Sequence, residues 1–134
     1  MWRTVGSILA GLVAWVVIVT LLNFGLRALI PGYHAAEATL EFTSAMKAGR
    51  LLEAALTSLA AGAIVRLIAP SSRSAPWIVG LVLLALFVPE HVMLWSKFPV
   101  WYHLAFLLPL APLLAAGAAL VPNAPRRESQ PAVS

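Results

Sequence analysis

The chain of 134 residues has no cysteine, and charged residues make up only 10% of it. Without cysteine there can be no disulfides, thiolate metal sites, iron–sulfur clusters or cysteine nucleophiles. The sequence also lacks a phosphate-binding glycine-rich loop, a nucleophile elbow and the His-Glu-x-x-His spacing of zinc proteases. Because no catalytic motif is present, a non-enzymatic protein is the expectation.

Apolar residues dominate what remains, at 61% of the chain with a mean hydropathy of +0.91. A chain of this length cannot bury so much apolar surface in a core of its own, which makes lipid its solvent. The net charge of +4 comes from basic residues scattered between apolar runs. Such scattering is typical of residues that flank membrane spans, and it argues against nucleic-acid binding.

Four apolar stretches have the length of about 20 residues that a spanning helix needs. They cover residues 5–24, 51–69, 77–96 and 100–121. The first is longer than the core of a secretory signal, which favours a retained span over a cleaved one. Short links at 70–76 and 97–99 predict antiparallel neighbours, and hence an all-α integral membrane protein built as a four-helix up-down bundle.

The parts outside the spans carry weaker signals. Residues 34–50 are predicted to form a short interfacial helix on the membrane surface between spans one and two. The polar, proline-rich residues 122–134 predict a disordered cytoplasmic tail that follows the membrane domain 1–121. Tyr33, Trp95, Trp101 and Tyr102 are expected to anchor the outer interface.

The basic residues predict an orientation by the positive-inside rule. On the side of the amino terminus lie Arg3, Arg66, Arg73, Arg126 and Arg127, and on the other side Arg27, Lys47, Arg50 and Lys97. This small excess predicts a multi-pass protein with both termini in the cytoplasm.

Small residues recur every three or four positions in the first two spans. Span one has Ser7, Gly11 and Ala14, and span two has Ala54, Ser58 and Gly62. Small residues let spanning helices approach closely. The pattern predicts contact between spans one and two or across a homo-oligomer. The expected partners are the lipid bilayer and either further copies of this chain or a larger membrane complex.

Glu90 and His91 lie within the third apolar stretch, where an ionisable residue is costly and points to function. The antiparallel order brings all three histidines and four of the five acids to the same side of the membrane. These residues are His34, His91, His103, Glu37, Glu41, Glu53 and Glu90.

Three interpretations of this cluster remain open. The residues could pair with Arg27, Lys47, Arg50 and Lys97 and lock one end of the bundle without chemistry. Glu90 and His91 could relay protons or ions. Alternatively, His91 and His103, with Glu90 or Glu41, could bind a divalent transition metal, which accepts imidazole and carboxylate ligands.

The segment Pro89-Glu90-His91, Trp95 and the run FPVWYHLAF at 98–106 resemble the small four-span inner-membrane proteins of bacteria. The resemblance implies a bacterial cytoplasmic membrane and brings no agreed activity. We therefore expect a small non-enzymatic structural or accessory membrane subunit. The alternatives are a proton- or ion-coupled small transporter that uses Glu90, and a metal-binding membrane protein that uses His91 and His103.

Overall fold

A computed structural model describes residues 2–122, in which the regular structure is helical. The helices are α1 (Trp2–Leu29), α2 (Tyr33–Thr39), α3 (Ser44–Ile68), α4 (Ala75–Met93), α5 (Val100–Leu107) and α6 (Leu110–Ala119). α5 and α6 together form the stretch Val100–Ala119, so four stretches are long and apolar enough to cross a membrane. The prediction of an all-α chain with four such stretches is confirmed. Of the predicted tail, residues 123–134 lie outside the described part.

The segment between the first two spans is shorter than predicted. α1 continues to Leu29 and α3 begins at Ser44, so the predicted helix over 34–50 is replaced by the seven-residue α2 and the first turns of α3. Two local features explain these bounds. The Thr43 hydroxyl accepts a hydrogen bond from the Met46 N–H at 3.2 Å, which caps α3. Gly32, at φ 79°, turns the chain into α2 in a conformation that favours glycine.

The most extensive packing is between α3 and α6 and between α1 and α3, and α4 packs on α6 and α1. Spans two and three are consecutive in sequence, yet they contact each other less than either contacts spans one and four. Pro109 separates α5 from α6, whereas Pro89 lies inside a continuous α4. The missing N–H of Pro89 leaves one carbonyl in the preceding turn without its helical donor.

Glycines permit the closest of these approaches. A Cβ on Gly11 would meet Val65 of α3 and Val79 of α4, so this residue lies against span two as predicted. A Cβ on Gly62 would instead strike the carbonyl oxygen of Leu114 in α6. The prediction that Gly62 faces span one or a second copy is therefore wrong, because span four already occupies that surface.

A bidentate ion pair ties the end of α1 to α2. Arg27 donates from Nε and Nη2 to the two carboxylate oxygens of Glu37, at 2.7 and 2.8 Å. The hydrogen bonds from Arg27 are the main cause of a lowered Glu37 pKa. For Arg27, the expected pairing with an acid of this cluster is observed.

The ion pair predicts a pH dependence of stability. A carboxyl group whose pKa is lowered by folding stabilises the protein above its unfolded pKa, and this contribution disappears as the pH falls through the folded pKa. Arg27→Gln should therefore lower the melting temperature at pH 7 and leave it unchanged at low pH. The effect at pH 7 should be small, because both side chains of the pair are partly solvated. Thermal unfolding of detergent-solubilised protein from pH 3 to 7 measures this difference. The exposed Arg73→Gln is the control, and a difference between wild type and Arg27→Gln that stays constant with pH would contradict the prediction.

Candidate functional site: a polar cavity between the spans

A cavity of about 280 Å³ lies near one end of the helices, between α1, α3, α4 and α5. Its volume is close to the lower limit of roughly 300 Å³ that is usual for small-molecule pockets. The apolar wall consists of Trp15, Val19, Leu40, Ala54, Phe87, Leu94, Phe98 and Phe106. The polar wall consists of Arg50, Glu53, Glu90, His91 and Tyr102. The cavity thus combines aromatic surface with both signs of charge.

Arg50 supplies the positive charge from the second turn of α3. Its Nε donates to the Tyr102 hydroxyl at 3.0 Å and its Nη1 to the Tyr33 hydroxyl at 2.9 Å. Its guanidinium carbon lies 4.7 Å from the centre of the Phe42 ring. No carboxylate within residues 2–122 forms an ion pair with it. A guanidinium has five N–H donors, so Arg50 retains donors for another group.

The two tyrosines are buried, at 0% exposure for Tyr33 and 3% for Tyr102. The prediction that they anchor at the headgroups is therefore wrong, because an arginine in apolar surroundings needs neutral acceptors and both phenols serve it. Burial is the main cause of a raised Tyr33 pKa, which the Arg50 charge opposes. The neutral Tyr33 hydroxyl also donates to the Asn23 Oδ1 at 2.9 Å. Arg50 keeps its full charge as a result.

Glu53 lies one turn after Arg50 on α3 and is only 7% exposed. Its Oε1 atom is buried, and no donor in the described part of the chain reaches it. A buried acceptor without a partner costs about 1–3 kcal/mol, and more when it is charged. Glu53 therefore lines the cavity with a carboxylate, one oxygen of which is enclosed and lacks a hydrogen-bond donor.

His91 lies in the wall and His103 behind it, and their Nδ1 atoms are 2.8 Å apart. His103 Nε2 lies 3.3 Å from the carbonyl oxygen of Trp95, which can only accept. When both rings are neutral, His103 carries its proton on Nε2 and accepts at Nδ1, and His91 donates from Nδ1. Neutral His91, whose ring lines the cavity, then has an unprotonated Nε2.

This assignment predicts the tautomers of both rings. In ¹⁵N-histidine NMR spectra, His91 should be in the Nδ1–H form and His103 in the Nε2–H form. The exposed His34 serves as the internal reference. His91 in the Nε2–H form, or His103 in the Nδ1–H form, would contradict the assignment.

The other predicted site residues lie in different surroundings. Glu90 lines the cavity with an exposed side chain, and Glu41 is exposed and outside the wall. Residues 2–122 contain no group of three or more His, Asp or Glu side chains that could hold a metal ion. The hydrogen bond between His91 and His103 occupies both Nδ1 atoms, so the metal interpretation gains no ligand set here.

Sequence reasoning missed Arg50 and Glu53 as partners in one cavity. It treated Arg50 as a residue outside the membrane, because the second span was predicted to begin at Leu51. The available signal was the spacing of Arg50 and Glu53, three residues apart, which places them on one helix face.

Comparison of the chain with protein-family models, curated proteins and solved structures finds no match.

Proposed function

We propose that the chain is a non-enzymatic accessory membrane protein that binds an amphipathic molecule with an anionic group in the cavity. The observation that carries the proposal is Arg50, a cation in the cavity wall with free donors and no carboxylate partner among residues 2–122. Charged side chains placed at membrane depth are costly and usually functional.

The chemistry of the wall supports such a ligand. Carboxylate and phosphate oxygens accept pairs of hydrogen bonds from arginine, and these charge-assisted bonds are about twice as strong as neutral ones. The rings of Phe87, Phe98 and Phe106 supply apolar contact beside this polar end. The exposed side chain of Glu90 lies in the same wall, so the cavity opens to the surface of the protein.

A titration with a defined probe tests the proposal. Purified protein in neutral maltoside micelles is titrated with dodecyl phosphate, and its melting temperature is followed. We expect a saturable rise, because a ligand that binds only the folded state stabilises it. Dodecyl glucoside has the same tail and no charge, and is the matched control. An equal rise with both amphiphiles, or none with either, would contradict the proposal.

We propose further that the four helical stretches form an up-down bundle in a bacterial cytoplasmic membrane, with both termini inside and α2 at the outer surface. The distribution of basic residues supports this orientation. Since the chain has no cysteine, single substitutions report it cleanly. Ser44→Cys should react with an impermeant thiol reagent on spheroplasts and Ser72→Cys should not. The reverse pattern would invert the topology.

The accessory role implies an assembly, as a homo-oligomer or with a larger membrane complex. The lipid bilayer covers the remaining apolar surface, which includes exposed side chains such as Leu21 and Leu86. Chemical cross-linking in native membranes tests this part of the proposal. A protein found only as a free monomer would contradict it.

A second candidate function is proton relay, and the contact between His91 and His103 favours it. A proton taken up at His91 Nε2 from the cavity would allow the Nδ1 proton to pass to His103 Nδ1. His103 would complete the transfer by releasing its Nε2 proton to water beside the Trp95 carbonyl. Glu90, the preceding residue in the cavity wall, is the proposed donor to His91. Proton flux into proteoliposomes should then fall to background in Glu90→Gln and in His91→Phe. Flux equal to that of wild type in both variants would exclude the relay.

A further inference from the structure

We infer that the ligand of the cavity is a zwitterion of the phosphoethanolamine type, with a primary ammonium group close to its phosphate. This inference rests on the proposed function and names its substrate class. The inference depends on Glu53 as well as Arg50. It can therefore be wrong while the proposed binding of an anionic group at Arg50 is right.

The first observation is the unmet hydrogen-bonding capacity of Glu53. The side chain is more than nine-tenths buried in the cavity wall, and its Oε1 has no partner among the described residues. A buried carboxylate without donors or a cation is strongly disfavoured. A ligand that brings N–H donors and positive charge next to this carboxylate lowers the cost of burying it, whereas a purely anionic ligand adds repulsion.

The second observation is the spacing of the two charges. Arg50 and Glu53 are three residues apart on α3, so their Cβ atoms lie about 5–6 Å apart on one helix face. They form no ion pair with each other. Opposite charges held apart on one wall match a molecule whose own opposite charges are separated by a short linker, as phosphate and ammonium are in phosphoethanolamine.

The remaining wall favours the ammonium end. Glu90 adds a second carboxylate, and its side chain makes no ion pair with the described residues. The rings of Trp15 and Phe87 also line the cavity, and aromatic faces attract cations. A primary ammonium supplies N–H donors to the Glu53 carboxylate at the cavity wall, which the methyl groups of a quaternary ammonium cannot do.

Native mass spectrometry of the full chain in neutral maltoside micelles tests the inference. The probes are dihexanoyl phosphatidylethanolamine, phosphatidylcholine and phosphatidylmethanol, the last of which keeps the phosphate diester and has no ammonium. Wild type should bind phosphatidylethanolamine at least about tenfold more tightly than the other two, a ratio that corresponds to about 1.4 kcal/mol. Glu53→Gln should reduce this preference to about threefold or less, and the exposed Glu41→Gln should preserve it.

Each outcome is decisive. Equal affinity of wild type for phosphatidylethanolamine and phosphatidylmethanol overturns the inference of a zwitterionic ligand and leaves anion binding at Arg50 in place. This comparison needs only the wild-type protein, so it holds even if Glu53→Gln fails to fold. A preference unchanged in folded Glu53→Gln also overturns it. If none of the phosphate lipids binds, the proposed function fails. The zwitterion could be a soluble molecule or the headgroup of a lipid, and free phosphoethanolamine distinguishes the two. Saturable binding of free phosphoethanolamine supports a soluble zwitterion, and binding of the lipid alone supports a lipid headgroup.

Discussion

Gly62→Ala is expected to destabilise the protein strongly, although it adds only one methyl group. The new Cβ would lie 1.9 Å from the Leu114 carbonyl oxygen, 2.8 Å from its carbonyl carbon and 3.0 Å from its Cα. These are backbone atoms of α6, so no side-chain rotation can relieve the clash and α3 and α6 must separate. Overpacking typically costs about 1–3 kcal/mol and sometimes more, which exceeds the gain of about 1 kcal/mol in helix propensity from alanine.

Thermal unfolding in detergent measures this effect, and the chain offers a matched control. Gly25 lies in α1, and a Cβ there meets nothing within 4 Å. Gly25→Ala should therefore leave the melting temperature unchanged or raise it. If Gly62→Ala were as stable as Gly25→Ala and altered only cross-linking between copies, Gly62 would face a second chain, and the packing of α3 on α6 would be wrong.

Arg50→Met is expected to weaken binding of dodecyl phosphate by about tenfold to a hundredfold. Hydrogen bonds to charged groups contribute about 1.5–3 kcal/mol, and each 1.4 kcal/mol is a factor of ten in affinity. Methionine keeps an apolar side chain in the cavity wall but supplies neither charge nor donors. Tyr33 still has Asn23 as an acceptor after the change, so the α1–α2 region keeps part of its hydrogen bonding.

Lys97→Met is the control for Arg50→Met, because it removes a positive charge from an exposed position in the link between α4 and α5. Its affinity for dodecyl phosphate should stay within about twofold of wild type, since exposed charges in solvent contribute little. Arg50→Lys should bind with intermediate affinity, because lysine keeps the charge and loses the bidentate geometry. Equal losses in Arg50→Met and Lys97→Met would show that surface charge, rather than the cavity, attracts the probe.

The fold was largely predictable because its main determinant is hydropathy. The length and apolarity of four stretches predict helices able to span a membrane, and the structure has them. The ends of these helices were less predictable. Thr43 caps α3 before the apolar run begins, and Gly49 lies inside that helix, where its small size lets Leu26 and Ile30 approach.

The candidate site was predictable only in part. Glu90 and His91 stood out because an ionisable residue in an apolar run is unusual, and the short link after α4 brought His103 beside His91. Arg50 and Glu53 did not stand out, because charges near the end of a span are ordinary flanking residues. The partners of Arg50 are Tyr33 and Tyr102, which come from other parts of the chain and meet Arg50 only in the folded protein.

The most direct test of the account is mass spectrometry of the protein released intact from the membranes of the cells that produce it. We expect the wild-type protein to carry an amphiphile with an anionic group. Lys97→Met should retain this amphiphile, and Arg50→Met should lose it. A wild-type protein without a bound amphiphile, or one retained equally by Arg50→Met, would contradict the claim that Arg50 holds an anionic ligand in the cavity.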